Sequence, residues 1–94
     1  MTPQETWQSA ELAEARQTFC DLVSDGDTLA AFDLAVARLK VWSKIVAERQ
    51  AGRRFDDNGK RLRAWRDGEC RRVARELVDA EWSRLGGVVE GDDA

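Results

Sequence analysis

Histidine and tyrosine are absent from the 94 residues, and cysteine occurs twice, proline once. Without imidazole or phenol, proton transfer and nucleophilic attack fall to carboxylates, lysine, thiols and hydroxyls. No cluster of these side chains suggests an active site, so the chain reads as non-enzymatic. Cys20 and Cys70 stand fifty positions apart and outside any Cys-x-x-Cys pair, which leaves no locally assembled zinc or redox motif. They read as reduced core thiols, and no metal or cofactor is expected. Long apolar runs are missing too. The longest stretch without charge is five residues, as at Thr6 to Ala10, whereas a membrane span needs about 20 apolar residues. The start, Met1-Thr-Pro-Gln-Glu, is polar and acidic and lacks the basic and apolar regions of a secretory signal. A cytoplasmic location is the expectation.

What is present suits one folded unit. Hydrophobic residues make up 43% and charged residues 35%, and a chain this size buries roughly 64% of its extended area, enough for one core. Residues 1–86 form the expected domain, followed by an acidic, mobile tail over 87–94.

Apolar spacing and glycine punctuation predict three helices. Thr2-Pro3-Gln4-Glu5 has the form of a capping box with proline at the first helical position, with Ser9 as a second start if the first turns fray. The first helix runs to about Ser24 with Leu12, Ala15, Phe19, Leu22 and Val23 on one stripe and an acidic outer face. Ser24-Asp-Gly-Asp-Thr28 is a turn and cap, and Asp27 or Thr28 to Ala51 continues without glycine or proline. Two stripes mark this second helix: Leu29, Phe32, Val36, Leu39 and Val46, then Leu34, Val41 and Ile45. Two stripes require two neighbours, which places it centrally. After a loop from Gly52 to Gly59, with Asp57 or Asn58 as cap, the third helix spans about Lys60 to Leu85. Leu62, Val73, Leu77 and Ala80 form its inner stripe and Cys70, Ala74 and Val78 a flank, while Gly68 marks a kink or a break. The fold class is therefore all-α, an elongated antiparallel three-helix bundle.

Charge is unevenly placed. Met1 to Asp27 holds six acids and one base, whereas Thr28 to Arg54 holds two acids and six bases. Between Arg49 and Arg75 there are ten bases and four acids. Such a segment can contact phosphates, with Arg53, Arg54, Lys60, Arg61 and Arg63 as the contact residues of a nucleic-acid reading. The opposing account pairs these bases with Asp56, Asp67, Glu69 and Glu76. A pI near 5.0 favours pairing over nucleic acid.

Four tryptophans supply the other signal. Trp42 borders the central helix stripe with Arg38 across its ring, and Trp65 reads as core edge. Trp7 lies off its stripe, either stapling the N-terminus or offering a contact. Trp82 shares its angular position with Arg71 and Arg75 on a continuous third helix, an outward combination typical of interface hot spots; the competing account buries its ring on the Cys70 flank. Asp25-Gly-Asp27 lacks the further ligands of a calcium loop, Asn58-Gly59-Lys60 lacks the remainder of a phosphate loop, and Glu76 with Asp79 would both stay ionised among arginines.

The leading expectation is a module that occupies the surface of a protein partner through Trp82, Arg71 and Arg75, with the acidic face of Glu11, Glu14 and Asp21. Nucleic acid through the arginine segment and a homodimer through the central helix compete with it; a membrane does not. In profile, as a short, helical, catalytically empty chain with aromatic and arginine surface, it resembles small phage and mobile-element proteins that inhibit a host machine, anti-CRISPR proteins among them. That likeness implies an inhibitor or adaptor.

Overall fold

A computed structural model describes residues 2–51 and 57–86, with the side chains of all but 47, 49–51 and 57–62. All of its regular structure is helical. Helix α1 covers Pro3–Trp7, a 3-10 turn covers Ala10–Leu12, and α2 (Ala13–Ser24), α3 (Thr28–Ala51) and α4 (Asp57–Arg84) follow. The acidic tail, 87–94, lies outside the described residues.

The first predicted helix is thus two. Thr2 caps α1 as its spacing predicts, its hydroxyl accepting the Glu5 amide at 3.1 Å. The chain then leaves the helix at Ser9, whose φ of −68° and ψ of 156° are extended. The break has a packing reason. In one continuous helix Trp7 would sit about 120° away from Phe19, but across the break their rings meet edge to face at 5.2 Å and 77°. Arg16 donates from Nη1 to the Trp7 carbonyl at 3.4 Å, serving one acceptor that the short helix leaves open. Trp7 is therefore the staple.

Between α2 and α3 the turn closes as expected. Asp27 donates its amide to the Leu22 carbonyl at 2.9 Å, and Gly26 takes a φ of 88°, a left-handed conformation that side chains with a Cβ disfavour. Asp27 is the cap of α3, accepting the Ala30 amide at 3.0 Å.

Helix α3 is central and packs against α2 and α4. Its buried line is Ala31, Ala35, Val36 and Leu39, where two alanines let neighbouring backbones approach. Leu29 shares the direction of Val36 but lies two turns nearer the end of the bundle, and it is 71% exposed. The second stripe keeps its partner only at Leu34, which packs against the core; Val41 and Ile45 are 55% and 39% exposed. Length explains the loss. At 12 residues α2 reaches about 18 Å, against about 36 Å for the 24 residues of α3.

Helix α4 runs unbroken through Gly68 and takes in Asp57 and Asn58, so there is no break at Gly68 and neither candidate precedes the helix as its cap. Its buried residues are Cys70, Val73, Ala74 and Val78, while Ala80 is exposed. The expected flank is the centre of the face. Arg75 lies 4.7 Å over the ring of Phe32, and Lys40 pairs with Asp67 at 3.6 Å, tying α3 to α4 at two levels.

Candidate protein-binding surface

Arg71, Arg75 and Trp82 lie along one edge of α4, as their spacing predicts. Their environments differ. Arg71 and Arg75 are exposed, but the Arg75 guanidinium is held against Phe32. Trp82 is half-buried and packed against the core, so its outward projection is only partial: the Val78 side of α4 draws the ring toward the bundle. Glu11, Glu14 and Asp21 are exposed, with Asp21 accepting from Gln17 Nε2 at 3.1 Å. No ion pair joins these acids to Arg71 or Arg75 among the described residues.

Of the phosphate-binding candidates, Arg63 is exposed. Arg53 and Arg54, and the side chains of Lys60 and Arg61, lie outside the described residues. The pairing account applies closer to the core. Arg72 bridges Glu69 at 2.9 Å and Glu76 at 2.8 Å, and Arg84 pairs with Glu81. The hydrogen bonds from Arg72 hold the Glu69 carboxyl below its usual value, and those from Arg84 do the same for Glu81. Both thiols are free. Burial pushes each above the ordinary cysteine value, with Glu81 adding to the effect at Cys20 and Asp67 at Cys70. A protonated thiol is a poor nucleophile. Cys20 is half-buried rather than fully in the core.

The largest exposed aromatic is one the sequence places elsewhere. Trp65, expected at the core edge, is 60% exposed. Relative to the face actually buried, Cys70 and Ala74, it points well off line; a stripe centred on Leu62 and Val73 hides this. It stands over a groove of about 670 Å³ between α3 and α4. Trp42 and Val46 supply the apolar wall from α3, Arg66 and Val73 stand on α4, and Thr2 to Gln4 border it on the α1 side.

A second groove, about 420 Å³, opens on the other side of the same helix pair. Lys40, Lys44 and Glu48 line it from α3, Arg63 and Asp67 from α4. Ser43 and Arg66 belong to both walls. The Nη1 of Arg66 is shielded from solvent and has no acceptor among the described residues. A buried charged donor without a partner is costly.

No group of three or more metal-ligating side chains occurs among the described residues, and no helix there is long and apolar enough to cross a membrane. No family model, curated protein or solved structure matches the chain.

Proposed function

We propose that this chain is a non-enzymatic protein-interaction module that acts in the cytoplasm by occupying the surface of a partner, as an inhibitor or adaptor of the kind its profile resembles. One observation carries the reading: where α2 no longer covers the α3–α4 pair, Trp65 is solvent-exposed at the groove it shares with Trp42 and Val46, and Val41 is exposed at the second groove on the other side of the same helices. Large apolar side chains exposed beside a groove mark interaction surfaces more often than solvated ones. The edge of Arg71, Arg75 and Trp82 and the acidic face of Glu11, Glu14 and Asp21 are two further surfaces for the same work. No cofactor or metal enters this reading.

Photo-crosslinking residues placed singly at positions 14, 65 and 71 test it in the producing cells. A discrete protein adduct from position 65, absent from an exposed control at position 33, is the expected result. Folded protein that yields no adduct from any of the three would sink the interaction reading.

The rival is nucleic-acid binding, which the ten bases and four acids between Arg49 and Arg75 favour. It requires affinity for labelled single- or double-stranded nucleic acid that falls steeply and linearly, on logarithmic axes, with salt. Absence of binding at low salt removes it.

A further inference from the structure

We infer that the α3–α4 groove receives an acidic, amphipathic helical segment of a partner protein, its apolar side chains seated between Trp42, Val46 and Trp65 and one of its carboxylates on Arg66. This rests on the interaction reading above and specifies its partner's chemistry. Three observations select the occupant. The groove walls are apolar where Trp42, Val46 and Trp65 stand, with space for side chains entering from one face of a helix. Among the described residues, Lys40, Lys44, Arg63, Arg66 and Arg72 on the walls of the two adjoining grooves outnumber Glu48, Asp67 and Glu69, so the surroundings attract negative charge. Within the wall, Arg66 is half-buried, and its inner Nη1 has no acceptor among the described residues; a carboxylate is the partner its guanidinium fits best.

The same charge argues against other occupants. A second copy docking groove to groove would bring this excess of positive charge against itself. A nucleic-acid backbone carries a phosphate at every nucleotide, and these would meet Glu69 on the groove wall and Glu48 and Asp67 in the adjoining groove. A peptide can place a single carboxylate at Arg66 and keep its others clear of those acids.

The test uses the full chain and a fluorescein-labelled peptide of about 18 residues with leucine at helical three- and four-residue spacing and glutamate elsewhere. Saturable binding by fluorescence polarisation is expected, together with a gain in peptide helicity. Replacing glutamate by lysine in the peptide should abolish it. Trp65→Ala and Arg66→Met should each weaken binding about tenfold, and Asp33→Asn, away from the groove, should leave it unchanged. Circular dichroism checks that each variant keeps its helicity.

Equal binding of the lysine peptide, or insensitivity to both groove variants, overturns the inference. So does an oligonucleotide whose binding is lost in the same variants, or a mass that rises with concentration in light scattering and falls back in Trp65→Ala. If no peptide binds but position 65 still crosslinks to a protein, the acidic-helix inference fails and the interaction reading stands. If neither occurs, both fail.

Discussion

Glu81 stands where several local interactions meet. It accepts from Arg84 and lies against the Cys20 thiol, so its carboxyl is held below the usual glutamate value, mainly by the arginine hydrogen bond. A folded carboxyl with a lowered pKa binds its proton less readily than the unfolded one. Its contribution to stability is therefore complete above about pH 4.5 and disappears as pH falls through the lower folded value. Since Arg84 is largely exposed, the effect is under about 1 kcal/mol. Urea unfolding of wild type and Glu81→Gln should show a stability gap at pH 7 that closes by pH 3; a gap unchanged with pH would contradict this. At the same scale, the tryptophans show the limit of spacing rules. Thr2, Asp27 and Gly26 act through bonds to residues three to five positions away, and their roles were legible in the sequence. Trp7 and Trp65 depend on where another helix lies, and spacing misplaced Trp65 and left Trp7 open. Their positions are settled by the break at Ser9 and by the rotation of α4 onto Cys70 and Ala74.

Helices α3 and α4 make the element-scale argument. Gly68 has no close neighbour around the position of an added Cβ, lies within α4 and has no left-handed φ. Nothing in the packing requires glycine there. Gly68→Ala should raise stability by about 0.5 to 1 kcal/mol through the entropy of the unfolded chain and better helix propensity, moving the melting temperature up by several degrees. A lower melting temperature would mean that the helix needs its glycine. The helices themselves follow from uninterrupted stretches and clear turns, which is why their number and order could be read, save for the split at Ser9. The direction in which each turned was harder. On α3, alanines form much of the buried line, and a reading weighted toward large side chains gave Leu29, Val41 and Ile45 a burial that α2 is too short to provide.

As a whole the molecule extends 51 × 27 × 19 Å, with a radius of gyration of 15.1 Å where a compact chain of this size has about 12 Å. The excess length comes from one end, where α3 and α4 continue without α2. Among the described residues, Glu11, Glu14 and Asp21 stand at the thicker end and Lys40, Lys44 and Arg63 toward the thinner, so approach to charged partners is oriented along the long axis. Amide exchange should follow this geometry. Residues 31–39 and 70–78 should exchange slowest, and 43–51 and 57–66 faster by an order of magnitude or more. Uniform protection in the isolated chain would show that the thinner end is covered by something, a second copy first. Because its two helices lie side by side, that end can change length without altering the rest. Adding or removing seven residues from each strand of the pair moves its tip by about 10 Å and restores the same faces. The distance between the acidic body and the groove's far edge is then an adjustable span, set by the number of turns, with the core left as it is.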